Sequence, residues 1–161
     1  MNDITVKFNN TISHIEHEEY FPLRVVYDVI TSEIHHIGFY YGDEDLLELA
    51  VVKDTGILKH MQVSICHHYS TVDSCLDYAN LITTDEEVII QLPDHNDCDV
   101  FNMTIYNNCI DIKISNNDAT HFAKSGQILF GLDNTDSISR IVVTEVSKTD
   151  AEYVINELSY Q

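Results

Sequence analysis

The sequence predicts a mainly β fold: antiparallel sheets built from consecutive hairpins, sandwich-like or strongly curved, with one short C-terminal α-helix. An α+β arrangement is the alternative. Three observations carry this expectation. Three strand–turn–strand units recur, each turn built from Asp, Asn, Thr, Ser or Gly. Their arms alternate apolar and polar residues at period two. The apolar period changes only at the C-terminus, where it becomes helical. With five glycines, two prolines and no low-complexity linker, the 161 residues read as one domain. Hydrophobic residues make up 44%, enough for a real core without staples.

A first strand is expected over Ile4 to Phe8. Thr11 to Tyr20 is polar and acidic, and reads as a loop or one helical turn. Leu23 to Ile30 reads as strand, because Val25, Tyr27 and Val29 alternate with Arg24 and Asp28 and β-branched residues dominate. The competing reading is a helix opened by Pro22, carrying Leu23, Val26, Ile30 and Ile34, and closed by Gly38. The clearest signal follows. Leu47 to Lys53 leads through Asp54-Thr55-Gly56 into Ile57 to Ile65, two strands joined by a short turn in which Gly56 can take positive φ. In the second arm Met61, Val63 and Ile65 share one face, and His60, Gln62 and Ser64 the other.

The second unit is Val100 to Tyr106, turning at Asn107-Asn108 into Cys109 to Ile114, where Ile110, Ile112 and Ile114 alternate with Asp111 and Lys113. The third is Gln127 to Leu132, turning through Asp133 to Ser137 into Ile138 to Val146. Glu87 to Leu92 supplies another strand, stopped by Pro93. At the end, Thr149 can cap a helix whose third residue, Glu152, completes a capping box. Val154, Ile155 and Leu158 form its apolar stripe. A helix this short needs a sheet to pack against.

Charge narrows the function. The chain has 27 acids and 8 Lys or Arg, a net −19. Phosphate contact needs Lys and Arg, so nucleic acid is excluded as a partner, and so is an anionic membrane surface. Steered association with a cationic protein is favoured. Excess acid also suits a merely soluble protein, but the imbalance here is large. No segment has the apolar length of a membrane span, and MNDITVKFNN lacks the basic start and apolar run of a signal peptide. Cys66, Cys75, Cys98 and Cys109 form no C-x-x-C and read as reduced thiols of a cytoplasmic protein.

No Gly-rich phosphate loop, H-E-x-x-H or G-x-S-x-G motif is present, so no enzyme activity, cofactor or metal is expected. Nine histidines invite a metal reading, and Cys66 beside His67 and His68 is the most ligand-like group. Adjacent strand residues point to opposite faces, however, so neither His35/His36 nor His67/His68 alone makes a chelate. A Cys75/His95 nucleophile pair is conceivable, but nothing singles it out.

The carboxylates are more informative. Residues 61–120 carry ten acids against one base, whereas residues 121–161 have a net charge of only −3. Dense groups are Asp43-Glu44-Asp45, Asp85-Glu86-Glu87, and Asp94, Asp97 and Asp99 around Asn96. Asp73 and Asp77 would share a face if their segment were helical. A charge run is most often a solvated loop. Several converging on one side would mimic a nucleic-acid backbone and accept hydrogen bonds from Arg and Lys. Tyr40, Tyr41, Tyr69 and Tyr78 lie near these runs, suited to anchoring an interface or to filling the core. The candidate partner-binding set is therefore Asp43, Glu44, Asp45, Asp73, Asp77, Asp85, Glu86, Glu87, Asp94, Asp97 and Asp99 with Tyr41, Tyr69 and Tyr78. A partner is expected to meet the loops between Gly42 and Asp99.

Phe39-Tyr-Tyr-Gly-Asp43, Leu46 to Ile65 around Asp54-Thr55-Gly56, and Phe130-Gly-Leu-Asp133 running through Ile141-Val-Val to Glu157 carry a resemblance over about half the chain. With its acidity and short C-terminal helix, the chain resembles the immunity proteins of bacterial polymorphic toxin systems, including contact-dependent growth inhibition. The resemblance implies a protein that binds a basic toxin, a nuclease domain, and occludes its active cleft. Two other classes compete: a structural or scaffold β-domain, which would self-associate, and a metal-dependent hydrolase using scattered His and Asp.

Overall fold

The computed structural model describes residues 3–30, 33–81, 83–84 and 87–161. Its strands, in chain order, are β1 (Ile4–Phe8), β2 (Ser13–Ile15), β3 (Leu23–Tyr27), β4 (Ile34–Tyr41), β5 (Asp45–Val52), β6 (Leu58–Ile65), β7 (Tyr69–Thr71), β8 (Thr83–Thr84), β9 (Val88–Leu92), β10 (His95–Asp97), β11 (Asn102–Ile105), β12 (Ile110–Lys113), β13 (His121–Ser125), β14 (Ile128–Leu132) and β15 (Ile138–Val143). A 3-10 turn spans Tyr78–Asn80, and the helix α1 covers Lys148–Ser159. The fold is mainly β with one short helix at the C-terminal end, as the sequence predicts.

Two large sheets face each other. One has the order β10-β4-β5-β6-β3-β2, the other β7-β11-β12-β15-β14-β13-β8, and β1 pairs with β9 in a small third sheet. All three expected hairpins form, as β5–β6, β11–β12 and β14–β15. Among the described residues three strand pairings are parallel, β10 with β4, β7 with β11 and β8 with β13, and all lie at sheet edges.

One apolar cluster fills the space between the sheets. Leu23, Val25 and Tyr27, Leu47, Leu49 and Val51, and Met61 and Val63 enter it from the first sheet. Met103, Ile105, Ile110, Ile112, Ile128, Phe130, Ile141 and Val143 enter from the second. Phe8 stacks on Phe130 with ring centroids 4.6 Å apart, tying the small sheet to this core. The buried Tyr27 hydroxyl donates to the Ser125 carbonyl at 2.7 Å, joining the two large sheets. A second cluster, Cys109, Phe122, Leu129 and Val142, lies on the outer face of the seven-stranded sheet, with Leu76, Tyr78 and Leu81 packed against it.

Leu23 to Tyr27 is strand rather than helix, and Gly38 sits in the middle of β4 instead of ending a helix. A Cβ on Gly38 would lie 2.5–2.6 Å from the Tyr40 ring, so the glycine lets Tyr40 lie flat over the strand. Thr11 to Tyr20 contains no helical turn. Its β2 segment pairs with β3, and His17 stacks on Tyr153 of α1 at 4.2 Å.

Register shifts in β5–β6 correct the predicted faces. Leu46 pairs with Ile65 and Leu47 with Val63, so Ser64 is an extra residue, a β-bulge. Met61 and Val63 face the core, but the bulge throws Ile65 onto the outer face, where it is 37% exposed. A second shift between Ala50 and Val51 makes Lys59 the extra residue and returns Leu58 to the core. His60 and Gln62 are on the opposite face from Met61, as expected, yet both are buried beneath their neighbours.

The helix starts two residues earlier than the Thr149 cap predicts. Ser147 is the cap: its hydroxyl accepts the Asp150 N–H at 3.1 Å, and the Asp150 carboxylate accepts the Ser147 N–H at 3.3 Å. Aspartate in place of glutamate as the third residue hides this box from the usual S/T-x-x-E/Q pattern. Val154 and Leu158 are its buried stripe, with Ile155 partly buried beside them.

Candidate functional site

The β4–β5 turn is the centre of the site. Gly42 takes φ +57°, the Glu44 N–H donates to the Tyr41 carbonyl at 3.2 Å, and Asp43 and Glu44 project into solvent. β10 runs parallel beside β4 towards this turn, with Asp97 opposite Tyr40 and the Cys98 N–H donating to the Tyr40 carbonyl at 2.8 Å. Asp97 and Asp99 therefore emerge next to the turn. The link from β6 to β7 reaches the same place, because the end of β6 pairs with the start of β5. It carries His67 and His68 and leads into Tyr69, the first residue of β7, and Tyr41 meets His68 edge-on at 6.0 Å.

The convergence registers on Cys98. Burial pushes its thiol up to about 12, and the charges of Asp99, Asp97 and Asp45 push in the same direction. Burial, then the charge of Asp45, also pushes Cys66 to about 12. Neither thiol is a thiolate at neutral pH. Cys75 lies close enough to Cys109 for its charge to be felt there, whereas His95 stands on β10 of the other sheet, so the fold does not build a Cys75/His95 pair.

Asp45 differs from its neighbours. Its side chain is 0% exposed, so it presents no surface to a partner, contrary to expectation. Its Oδ1 accepts the His67 backbone N–H at 2.7 Å, and its Oδ2 lies 3.3 Å from His68 Nδ1. His67 and His68 do not point to opposite faces as strand neighbours would, because they lie in the β6–β7 link, and both meet Asp45. Glu44, Asp45 and His68 each offer a ligand atom, all within 4.8 Å of one another.

The other predicted residues scatter. Asp94 is exposed where the chain enters β10. Asp73 and Asp77 are not on a helix; they lie in the segment covering the outer cluster of the seven-stranded sheet, bonded to Asn107 and Asn80. Tyr78 packs into that cluster and is half-buried. Glu87 is paired with Lys7 at 3.4 Å. Asp85 and Glu86 lie outside the described residues.

One polar group has no sequence signature. His36, Glu48 and His60, from β4, β5 and β6, meet on the outer face of the six-stranded sheet, with Glu48 Oε1 2.8 Å from His36 Nδ1 and 3.2 Å from His60 Nε2. The hydrogen bond from His60 holds the Glu48 carboxyl below its usual value of 4.5; burial opposes this, and the bond from His36 reinforces it. A carboxylate whose folded value is lowered stabilises the fold above its unfolded value and stops doing so as pH falls through the folded one. Glu48→Gln is therefore expected to be less stable than the parent at neutral pH. The gap should close as pH drops below 4.5. Urea midpoints of both proteins across that range check this; a gap that persists in acid refutes it.

No protein-family model matches the chain, and a search of curated proteins finds no match either. Among the described residues no helix is long and apolar enough to cross a membrane.

Proposed function

We propose that the chain is an inhibitory binding module, an immunity protein that neutralises a basic toxin, a nuclease domain, by covering its active cleft. One observation supports this most. Asp43, Glu44, Asp97 and Asp99 gather with Tyr41 and Tyr69 at one edge, and among the described residues no Lys or Arg forms an ion pair with any of these acids. The bases that do pair are elsewhere: Lys7 with Glu87, Arg24 with Glu16 and Glu18, Lys53 with Glu33, and Arg140 with Asp111. His95 meets Asp97 at 3.0 Å, and Ser115 and Asn116 donate to Asp99, but with no Lys or Arg paired to it the edge keeps a negative field for a cationic surface. Partly buried Tyr41 and exposed Tyr69 supply apolar area that such a contact needs at its centre.

The test starts from the genome, where a neighbouring reading frame is expected to encode a protein with a basic toxin domain. Purified together, that domain and this chain are expected to form a one-to-one complex in which nuclease activity is lost stoichiometrically. Raising salt from about 0.05 to 0.5 M should slow association by at least roughly tenfold and change dissociation less. The combined variant Asp43→Asn, Asp97→Asn, Asp99→Asn should slow association by a similar factor and flatten its salt dependence. A complex indifferent to salt and to these substitutions would refute the electrostatic mechanism. A chain that oligomerises alone and leaves the nuclease active would point to a scaffold instead.

A further inference from the structure

We infer that Glu44, Asp45 and His68 form a binding site for a zinc-class divalent cation, fastening the β4–β5 turn to the β6–β7 link. The three side chains come from two segments far apart in sequence, and their ligand atoms lie within 4.8 Å of one another. Two ligands of one tetrahedral ion, each bound at 2.0–2.2 Å, stand about 3.3 Å apart. His68 Nδ1 and Asp45 Oδ2 are 3.3 Å apart. That spacing is long for a charge-assisted hydrogen bond, which prefers about 2.7–2.9 Å, and right for sharing an ion.

The surroundings agree. The Asp45 carboxylate is fully buried, and its only ion-pair partners among the described residues are His67 and His68. The His67 backbone N–H holds Oδ1 at 2.7 Å, which orients Oδ2 towards His68 as outer-shell bonds orient metal ligands. Glu44 and His68 are exposed, so both can turn onto the ion without disturbing the core. A dication would neutralise the two carboxylates, one of them in a low-dielectric position where uncompensated charge is costly. A nitrogen donor beside two oxygens suits zinc and its transition-metal neighbours; magnesium and calcium prefer oxygen alone. Three protein ligands leave a fourth position open for water or a donor from another molecule.

The proposal does not rest on toxin binding, although Glu44 belongs to both sites, and its test needs only this chain. The full-length protein, stripped with chelator, is titrated with zinc chloride by calorimetry and with cobalt(II) by visible absorption. One equivalent of zinc should bind, and cobalt should give the intense absorption band of a low-coordinate site. His68→Ala and Glu44→Gln should each weaken zinc binding at least tenfold and abolish the band. Both residues are exposed, so the variants are expected to fold. His95→Ala, which removes an exposed histidine beside Asp97, should change neither signal. Absence of stoichiometric zinc binding overturns the proposal, and so does affinity unchanged in His68→Ala.

Discussion

Replacing Phe130 by alanine is expected to destabilise the fold by about 3–5 kcal/mol, the usual cost of emptying an aromatic site in a packed core. Phe130 is wholly buried and stacks on Phe8 at 4.6 Å. Its loss removes one side of the contact that holds β1 and β9 against the seven-stranded sheet, so the cavity opens where three sheets meet. At about 2–4 °C per kcal/mol for a domain of this size, the melting temperature should fall by about 10 °C. Phe130→Leu keeps most of the volume and should cost far less, about 1–2 kcal/mol. Urea denaturation of both variants decides the matter; equal losses would mean that ring stacking and cavity size are not what the site depends on.

Gly56→Ala should destabilise the fold by about 2–4 kcal/mol, combining left-handed backbone strain with a steric collision. Gly56 has φ +75°, and a Cβ there would lie 2.8 Å from the Thr5 carbonyl oxygen. That oxygen cannot swing aside, because the neighbouring Lys7 N–H donates to the Gly56 carbonyl at 2.8 Å and pins β1 across the turn. Gly42 provides the control. Its φ is +57°, but nothing lies within 4 Å of its missing Cβ, so Gly42→Ala should show the backbone strain alone, about 1–2 kcal/mol. If the two variants lose equal stability, β1 does not press on the turn as described.

The pair of glycines also shows where sequence reasoning reaches and where it stops. A turn demanding positive φ leaves a local mark, and Asp54-Thr55-Gly56 between two apolar arms is enough to place the hairpin. The other two hairpins are legible for the same reason. The edge strands are not. β7, β8 and β10 have two or three residues each and pair in parallel with segments far away in the chain, which leaves no local period to read. β4 has the sequence Ile34-His-His-Ile-Gly-Phe-Tyr-Tyr41, with adjacent Phe39 and Tyr40 on opposite faces, one buried in the core and one half-exposed over Gly38. Apolar alternation is lost when both faces carry rings. Bulges in β6 erase it again at Ser64 and Lys59.

The site divides the same way. That Asp43, Glu44, Asp97 and Asp99 are exposed follows from their setting in polar runs. That they are neighbours follows only from the parallel pairing of β10 with β4. The burial of Asp45 could not be read from Asp43-Glu44-Asp45, because the groups that hold it lie 22 and 23 residues further on. Asp73 and Asp77 illustrate the opposite error, in which sequence spacing suggests a shared face that a non-helical backbone never makes.

The acidic edge is bordered by β10 on one sheet and β7 on the other, each only three residues long. So short a border leaves room for one or two ladder hydrogen bonds, too few for a foreign strand to zip onto. Whatever docks here must be read through side chains, on the β4–β5 turn and on the end residues of β10 and β7, where the sheet pairing is made by the backbone and not by the side chain. Recognition is thereby uncoupled from architecture. Exchanging Asp43, Asp97 or Tyr69 for other residues would redirect partner choice while leaving the sandwich intact, so this edge could change its target by point substitution faster than the fold beneath it could change at all.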